Sequence, residues 1–395
     1  MLILAILLIY LVAPPALEWL LIGNRHLIGL SAATTTYLFY LIASLIMASP
    51  FLLAARTAGR AKSATTEPYI DYLIYWELWI GLPLFTYFVA SRLGGFNFAH
   101  LIAFSERYRN SYYTGTGFYT SLLTFALPLT LSIKSQRNQK ISAATIIGVL
   151  SLIAVSIVLG LRIFLFPVFY GFIYQVSTYR RLKLKYFIYL TAIFLFLAFN
   201  KYYLSLQLKS SQSLLSLILN PLTRLHIPYL LKFYRTANSD TLVCLAPFSR
   251  LLENCAPNTL KFAALHHAPY LNYGFPYLSK YSGLAEPLPV FIFNSFGVVG
   301  APIFASFLLI FFLLVNQARQ FHRKPMFATL AYLVSIQLFL AMVEDFTAIQ
   351  ELDLTIAFYV IFFIGSQFYG KIHPTVGKKI IRKLPCEPAA IRLEP

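Results

Sequence analysis

The stretch that decides the organisation of this chain runs from Asn200 to Pro289 and contains TRLHIPYLLKFYRTANSD (223–240) and KFAALHHAPYLNYGFPYLSKY (261–281). Polar and charged residues interrupt it throughout, so a membrane-spanning helix cannot absorb it. It holds eight Lys or Arg residues against three acidic ones, three of the seven histidines and two of the three cysteines. A long basic and aromatic loop between apolar segments is typical of a functional surface.

The composition on either side of this loop is that of a membrane protein. Of the 395 residues, 58% are hydrophobic and 12% are charged, whereas a soluble domain carries about a quarter charged residues. The net charge of +18 does not indicate nucleic-acid binding, because most basic residues lie in short connections between apolar runs. The first 24 residues have no basic region and no small-residue cleavage site, which indicates a retained first span and not a signal peptide.

Ten apolar runs have about the length that a bilayer-crossing helix requires. We therefore predict an all-α polytopic membrane protein with about ten transmembrane helices and one long outward loop. Its parts are transmembrane helices 1–7 (residues 1–199), the loop (200–288), helices 8–10 (289–370) and a basic tail (371–395). The runs are 2–22, 28–54, 70–91, 115–133, 142–160, 163–179, 186–202, 289–316, 326–343 and 354–370.

The distribution of Lys and Arg predicts the orientation of these spans. Every second connection is basic, and the tail is basic too, whereas the alternate short connections are poor in Lys and Arg. Because positive residues mark the cytoplasmic side, both termini are predicted to be cytoplasmic and the long loop to face outward. The connection 344–353 is acidic, which fits either a divalent-cation site or the solvated loop that we favour. The basic connections are 55–69, 134–141, 180–185 and 317–325.

Arginines on the outward side are candidates for binding an anion. Arg162 follows Gly160 and Leu161 at a tight turn between the fifth and sixth runs. A guanidinium at the membrane edge is costly and often functional, and its planar fork suits bidentate contact with phosphate. The alternative is an arginine that reaches out to lipid headgroups.

Two cysteines lie in the outward loop, Cys244 and Cys255, eleven positions apart. An oxidising compartment favours a disulfide between them, and the alternative is a pair of free thiols buried in the loop. Cys386 lies in the predicted cytoplasmic tail and is expected to stay reduced.

These features resemble those of the bacterial O-antigen polymerase (Wzy) family and, more loosely, of the O-antigen ligases. The resemblance is carried by LGLR at 159–162, the basic hinge RRLKLK at 180–185, the long outward loop, and HHAPYLNYG (266–274) followed by NSFGVVGAP (294–302). It implies a GT-C-like membrane fold and a metal-independent, cofactor-free glycosyltransferase. That enzyme would polymerise undecaprenyl-diphosphate-linked oligosaccharide repeat units into O-antigen or capsule-type polysaccharide at the periplasmic face of the bacterial inner membrane.

The resemblance also suggests roles for outward residues. Positively charged side chains beside the diphosphate leaving group would stabilise its charge and lower the barrier to glycosyl transfer without a metal. His266 or His267, or a carboxylate such as Glu253, would activate the acceptor hydroxyl, although both histidines could instead brace the turn at 268–270. The expected partners are undecaprenyl-diphosphate-linked glycans and membrane lipid. A chain-length regulator is a further candidate partner, and nucleic acid is not expected. The candidate diphosphate ligands are Arg162, Arg224, Arg235 and Arg250.

Two other functions compete with this interpretation. An O-antigen ligase would move finished glycan to the lipid A core. A flippase-type transporter would carry lipid-linked sugars across the membrane. Transporters usually show internal repeats and ionisable residues at midplane, whereas the polar residues of this chain concentrate outside its apolar runs.

Overall fold

In the computed structural model, every regular element among the described residues is a helix. Fragments of the remaining apolar runs are described as well, and these are helical too. The described residues are 7, 11–12, 28–54, 79–80, 83–84, 87, 91, 127–129, 143–159, 167–171, 173–174, 192, 245–246, 287–320, 325–344, 346–350 and 352–372.

The continuous helices follow the apolar runs of the sequence. Helix α1 spans Ile28–Ala54 and α2 spans Ala143–Leu159. Helix α3 spans Leu288–Phe296, and a 3-10 turn at Gly297–Gly300 connects it to α4, Ala301–Ala318. Helices α5, α6 and α7 span Pro325–Val343, Thr347–Gln350 and Leu352–Ile372.

The predicted runs 28–54, 142–160, 326–343 and 354–370 are confirmed as helices, each within two residues of the observed ends. By length and composition, two helical segments among the described residues could cross a membrane, Leu288–Ala318 and Met326–Val343. The all-helical part of the prediction therefore holds for the described chain.

Helix α1 is apolar on both of its faces. Tyr37 and Tyr40 are completely buried, whereas Phe39 and Ile46 on the opposite face are each 65% exposed. A helix that is apolar all round suits a lipid surrounding or the interior of a large protein. The burial of tyrosines and exposure of phenylalanine is the reverse of what a helix in water would show.

Pro50 lies inside α1, where it cannot donate the usual hydrogen bond to the carbonyl of Ile46. Ser49 Oγ donates to that carbonyl oxygen instead, at 2.8 Å. In an apolar surrounding a freed carbonyl needs such a replacement, so the adjacent serine lets α1 continue past the proline.

Helix α4 is the centre of the described bundle, since it packs against both α5 and α1, and α5 packs in turn against α7. The short connection between α4 and α5 makes them antiparallel neighbours. They have 18 and 19 residues, so both are about 27–29 Å long. The start of α4 and the end of α5 therefore lie at the same end of the bundle, away from the basic connection 319–324.

Candidate functional site

The backbone bends sharply at Asn294–Gly300, which we call the glycine corner. Gly297 has φ 60° and ψ −144°, a region that glycine alone adopts readily. A Cβ at position 300 would lie 2.7 Å from Ile292 Cγ2 and 3.2 Å from the Ile292 carbonyl oxygen. In a straight α-helix eight residues advance about 12 Å, so this approach requires the chain to bend back. The run 289–316, which reads as one long span, is thus divided into two helices.

Helix α3 is a half-length helix buried on all sides. Its nine residues extend about 13.5 Å, roughly half the hydrocarbon thickness of a bilayer. The carbonyl oxygen of Pro287 accepts the backbone N–H groups of Val290 and Phe291 at 2.9 and 3.0 Å, which fixes its first turn. Every residue from Leu288 to Ser295 is buried.

An aromatic contact places α3 at one end of the bundle. The ring of Phe291 stacks on that of Phe346, with centroids 4.0 Å apart and planes 19° from parallel. Phe346 lies between the end of α5 and the start of α6. The glycine corner therefore lies at the end that carries the acidic connection 344–353, opposite the basic connection 319–324.

The acidic connection is explained in part by helix termini. Glu344 closes α5 by donating its backbone N–H to the Leu340 carbonyl at 2.7 Å. Asp353 lies in the first turn of α7, where a carboxylate interacts favourably with the helix dipole. Among the described residues no group of three His, Cys, Asp or Glu side chains could hold a metal. Asp345 and Glu351 lie outside those residues.

Aromatic side chains join α1 to α3 and α4. We call Tyr37, Tyr40, Phe293 and Phe304 the α1–α3 junction. Tyr37 and Tyr40 are nearly parallel, with ring centroids 5.8 Å apart and planes at 26°. Phe293 lies 5.3 Å from the Tyr37 ring and 5.5 Å from the Tyr40 ring. Phe304 of α4 stacks on Tyr40 at 5.9 Å, so three helices meet here.

Two hydroxyl groups of this junction, Tyr37 OH and Tyr40 OH, are buried and form no hydrogen bond in the part of the chain that the structure describes. Ser295 Oγ, on a different face of α3 from Phe293, is also buried and unpaired among these residues. Each such group costs about 1–3 kcal/mol relative to a paired one. By contrast, Ser44 Oγ, one turn further along α1, donates to the Tyr40 carbonyl at 2.8 Å. Unpaired buried polar groups of this kind call for an explanation in strain or in ligand binding.

The junction is chemically neutral. Its residues offer two hydroxyl groups and four aromatic rings. Such a set can bind hydroxyl groups and pack on an apolar ring face, but it supplies no cation for a phosphate. A diphosphate would therefore have to be held by residues elsewhere in the chain.

The residues that the sequence nominates for catalysis and diphosphate binding lie outside the described residues. The same is true of Glu253, Cys244 and Cys255. Their roles therefore stay predictions. From the long loop, Leu245 is described and is buried in the same core as α3, α4 and α5, so at least this part of the loop packs on the bundle. The nominated residues are His266, His267, Arg162, Arg224, Arg235 and Arg250.

Sequence reasoning did not single out the α1–α3 junction. The available signal was polar residues inside an apolar run, namely Tyr37 and Tyr40 in 28–54. Hydropathy alone does not show which of them are buried or unpaired. No model of a known protein family, no curated protein and no solved structure matches this chain, so its function is inferred from its own residues.

Proposed function

We propose that this chain is a polytopic glycosyltransferase of the bacterial inner membrane that polymerises undecaprenyl-diphosphate-linked oligosaccharide repeat units. In this proposal about ten helices cross the membrane in a GT-C-like fold, both termini are cytoplasmic and the loop 200–288 is periplasmic. The observation that carries the proposal is the segregation of charge. The one long basic and aromatic loop falls between connections that alternate regularly in Lys and Arg content.

The described helices support a functional role for the end of the bundle that this loop reaches. The loop leads directly into α3, which is buried beside Phe346 at the end opposite the basic connection 319–324. Leu245 of the loop is buried in the same core. The described end of the loop, at Pro287, therefore lies at the same end of the bundle as the glycine corner, where a periplasmic enzyme would bind its substrates.

The chemistry of the proposed reaction matches the residues of the loop. The acceptor hydroxyl oxygen attacks the anomeric carbon of the donor glycan, and the bond from that carbon to the diphosphate oxygen breaks. The diphosphate leaves with the electron pair, and arginine side chains stabilise its charge. The hydroxyl proton passes to His266 or His267, or to Glu253. The exposed apolar faces of the helices, such as Phe39 and Ile46 on α1, suit the polyprenyl chains and surrounding lipid.

A transporter of lipid-linked sugars is the second candidate. The division of Leu288–Ala318 at Gly297 favours it, because transporters commonly bind substrates where a membrane helix is discontinuous. The concentration of basic residues in the outward loop favours the polymerase. An O-antigen ligase shares the reaction chemistry and differs in its acceptor.

Deletion of the gene, followed by gel analysis of the surface glycan, separates the three functions. A strain lacking a polymerase makes lipid A core with a single repeat unit, and the wild-type chain restores the ladder. A strain lacking a ligase or a transporter attaches no repeat unit to the core. An unchanged ladder in the deletion strain would reject the proposal.

Variants of the loop then test the assigned roles in the same strain. Arg→Ala at a diphosphate contact should abolish the ladder at normal protein level, and Arg→Lys should restore it only in part because the bidentate fork is lost. Arg56→Ala, in a predicted cytoplasmic connection, is the matched control. A histidine that acts as a base should fail as either Ala or Gln, whereas a bracing histidine should tolerate Gln. Normal polymer from all four arginine variants would refute the arginine assignment. The four are Arg162, Arg224, Arg235 and Arg250.

A further inference from the structure

We propose that the α1–α3 junction binds the neutral sugar of a lipid-linked glycan, which enters when α3 moves about Gly297. The identity of the ligand as a lipid-linked glycan rests on the proposed function. The binding of a neutral, hydroxyl-bearing ring rests on the junction alone. The assignment concerns α1 and α3, and so it is independent of the arginines and histidines of the loop.

The buried tyrosine hydroxyl groups of the junction are the first evidence for this sugar site. Tyr37 and Tyr40 are three positions apart on α1, so they project from the same face, and their rings are nearly parallel. Phe293 of α3 contacts both tyrosine rings. Within the described chain both tyrosine hydroxyls are buried and unpaired. A sugar carries several hydroxyl groups, each both donor and acceptor, and can pair with both.

The absence of charge among the junction residues selects the class of ligand. Among the described residues of the junction a phosphate would meet no cation, and an alkyl chain would leave the two hydroxyls unpaired. A sugar ring has both polar edges and an apolar face. Aromatic side chains with a few polar groups are the usual lining of a site for such a molecule.

Phe304, which stacks on Tyr40, also borders a small apolar crevice of about 10 Å³. This volume is too small for a hydrocarbon chain, so a lipid tail would follow the leucines only after the crevice widens. The other lining residues are Leu7, Leu11, Val12, Leu41, Leu45 and Leu308.

The site is closed in this structure, since Tyr37 and Tyr40 are completely buried. Opening requires α3 to move away from α1. Gly297 can accommodate such a movement, because it adopts a positive φ and no atom lies within 4 Å of where its Cβ would be. Hinges of this kind are short segments at the ends of elements that absorb changes in φ and ψ.

Thermal unfolding of the full-length protein in lipid nanodiscs tests the site with simple probes. Octyl glucoside, below its micellar concentration, should raise the melting temperature, whereas octyl phosphate should not. The double variant Tyr37→Phe/Tyr40→Phe should raise the octyl glucoside concentration needed for this increase about tenfold or more, as expected for two lost hydrogen bonds. Its melting temperature without ligand should equal or exceed that of the wild type, because two unpaired hydroxyls have been removed.

Further variants make the test independent of any single substitution. Tyr37→Phe and Tyr40→Phe, each made alone, should weaken the same response without loss of stability. Tyr170→Phe removes a paired hydroxyl outside the junction, so it should lower the melting temperature and keep the full response to octyl glucoside. An equal response in the double variant and the wild type would overturn the proposal, and so would a response to octyl phosphate that depends on the same tyrosines.

The glycan gel separates this inference from the proposed function. Binding of octyl glucoside through the tyrosines, with an unchanged ladder in the deletion strain, would retain the sugar site and reject the polymerase. Loss of the ladder on deletion, without tyrosine-dependent binding of octyl glucoside, would retain the polymerase and reject the sugar site.

Discussion

Ser335 forms two hydrogen bonds inside the apolar helix α5. Its Oγ donates to the Tyr332 carbonyl at 2.6 Å, and a serine hydroxyl has a single proton, so Tyr170 OH must donate to Ser335 Oγ, at 2.6 Å. Tyr332 OH donates in turn to the Pro128 carbonyl at 3.1 Å. The aromatic rings of Tyr170 and Phe339 lie 5.0 Å apart beside this network. These bonds tie α5 to two other parts of the chain, as polar residues commonly do between membrane helices.

The direction of these bonds predicts unequal effects of two small substitutions. Ser335→Ala leaves the buried Tyr170 hydroxyl without its acceptor and should destabilise the fold by about 1–3 kcal/mol. Tyr170→Phe leaves Ser335 bonded to Tyr332 and should cost about 1 kcal/mol. The double variant should be no less stable than Ser335→Ala, as shown by unfolding in nanodiscs. A larger effect of Tyr170→Phe than of Ser335→Ala would contradict the assigned direction.

The two loop cysteines give a second prediction at the residue scale. A bridge between Cys244 and Cys255 should stabilise the loop by about 2–3 kcal/mol. Maleimide labelling under denaturing, non-reducing conditions counts the free thiols. One reactive thiol, that of Cys386, is the expected result, and the variant Cys386→Ser should then show none. Three reactive thiols in the wild-type protein would refute the bridge.

Which face of a helix is buried could not be predicted from the sequence. The run 28–54 is apolar all round, so it has no polar face to mark the outside. The structure buries Tyr37 and Tyr40 and exposes Phe39. Packing against Phe293 and Phe304 decides this, and both residues are distant in sequence.

At the scale of elements, the hydropathy pattern predicted the limits of the helices well, but it did not predict the bend at Gly297. The limits of α1, α2, α5 and α7 follow from runs of apolar residues between charged or polar connections. The bend at Gly297 lies inside such a run, where Gly-Val-Val-Gly interrupts no hydropathy pattern. Its cause is a backbone conformation that a hydropathy pattern does not record.

Two glycine substitutions test the bend. Gly297→Ala would place a Cβ on a residue with φ 60°, which should cost about 1–3 kcal/mol. Gly365→Ala, inside α7 with no atom near the new methyl group, should be neutral or stabilise by up to about 1 kcal/mol. The measurement is the melting temperature of each purified variant. Equal stability of the two variants would indicate that the corner does not need its glycine.

At the scale of the whole molecule, the two ends of the described bundle differ in charge. The connection 319–324 is basic, and the connection 344–353 at the other end is acidic. Between them, exposed apolar side chains cover α1, α4 and α7, among them Ile46, Leu313 and Ile364. An apolar belt between ends of opposite charge fits helices that cross a membrane with the basic end in the cytoplasm.

The central claim is that the basic, aromatic loop 200–288 lies outside the membrane, on the side to which α3 and the glycine corner belong. Topology-reporter fusions measure this directly. Fusions after Lys185 and Arg323 should report the cytoplasm, and a fusion at Ser249 should report the periplasm. A cytoplasmic signal at Ser249 would contradict the orientation and, with it, the proposed periplasmic site.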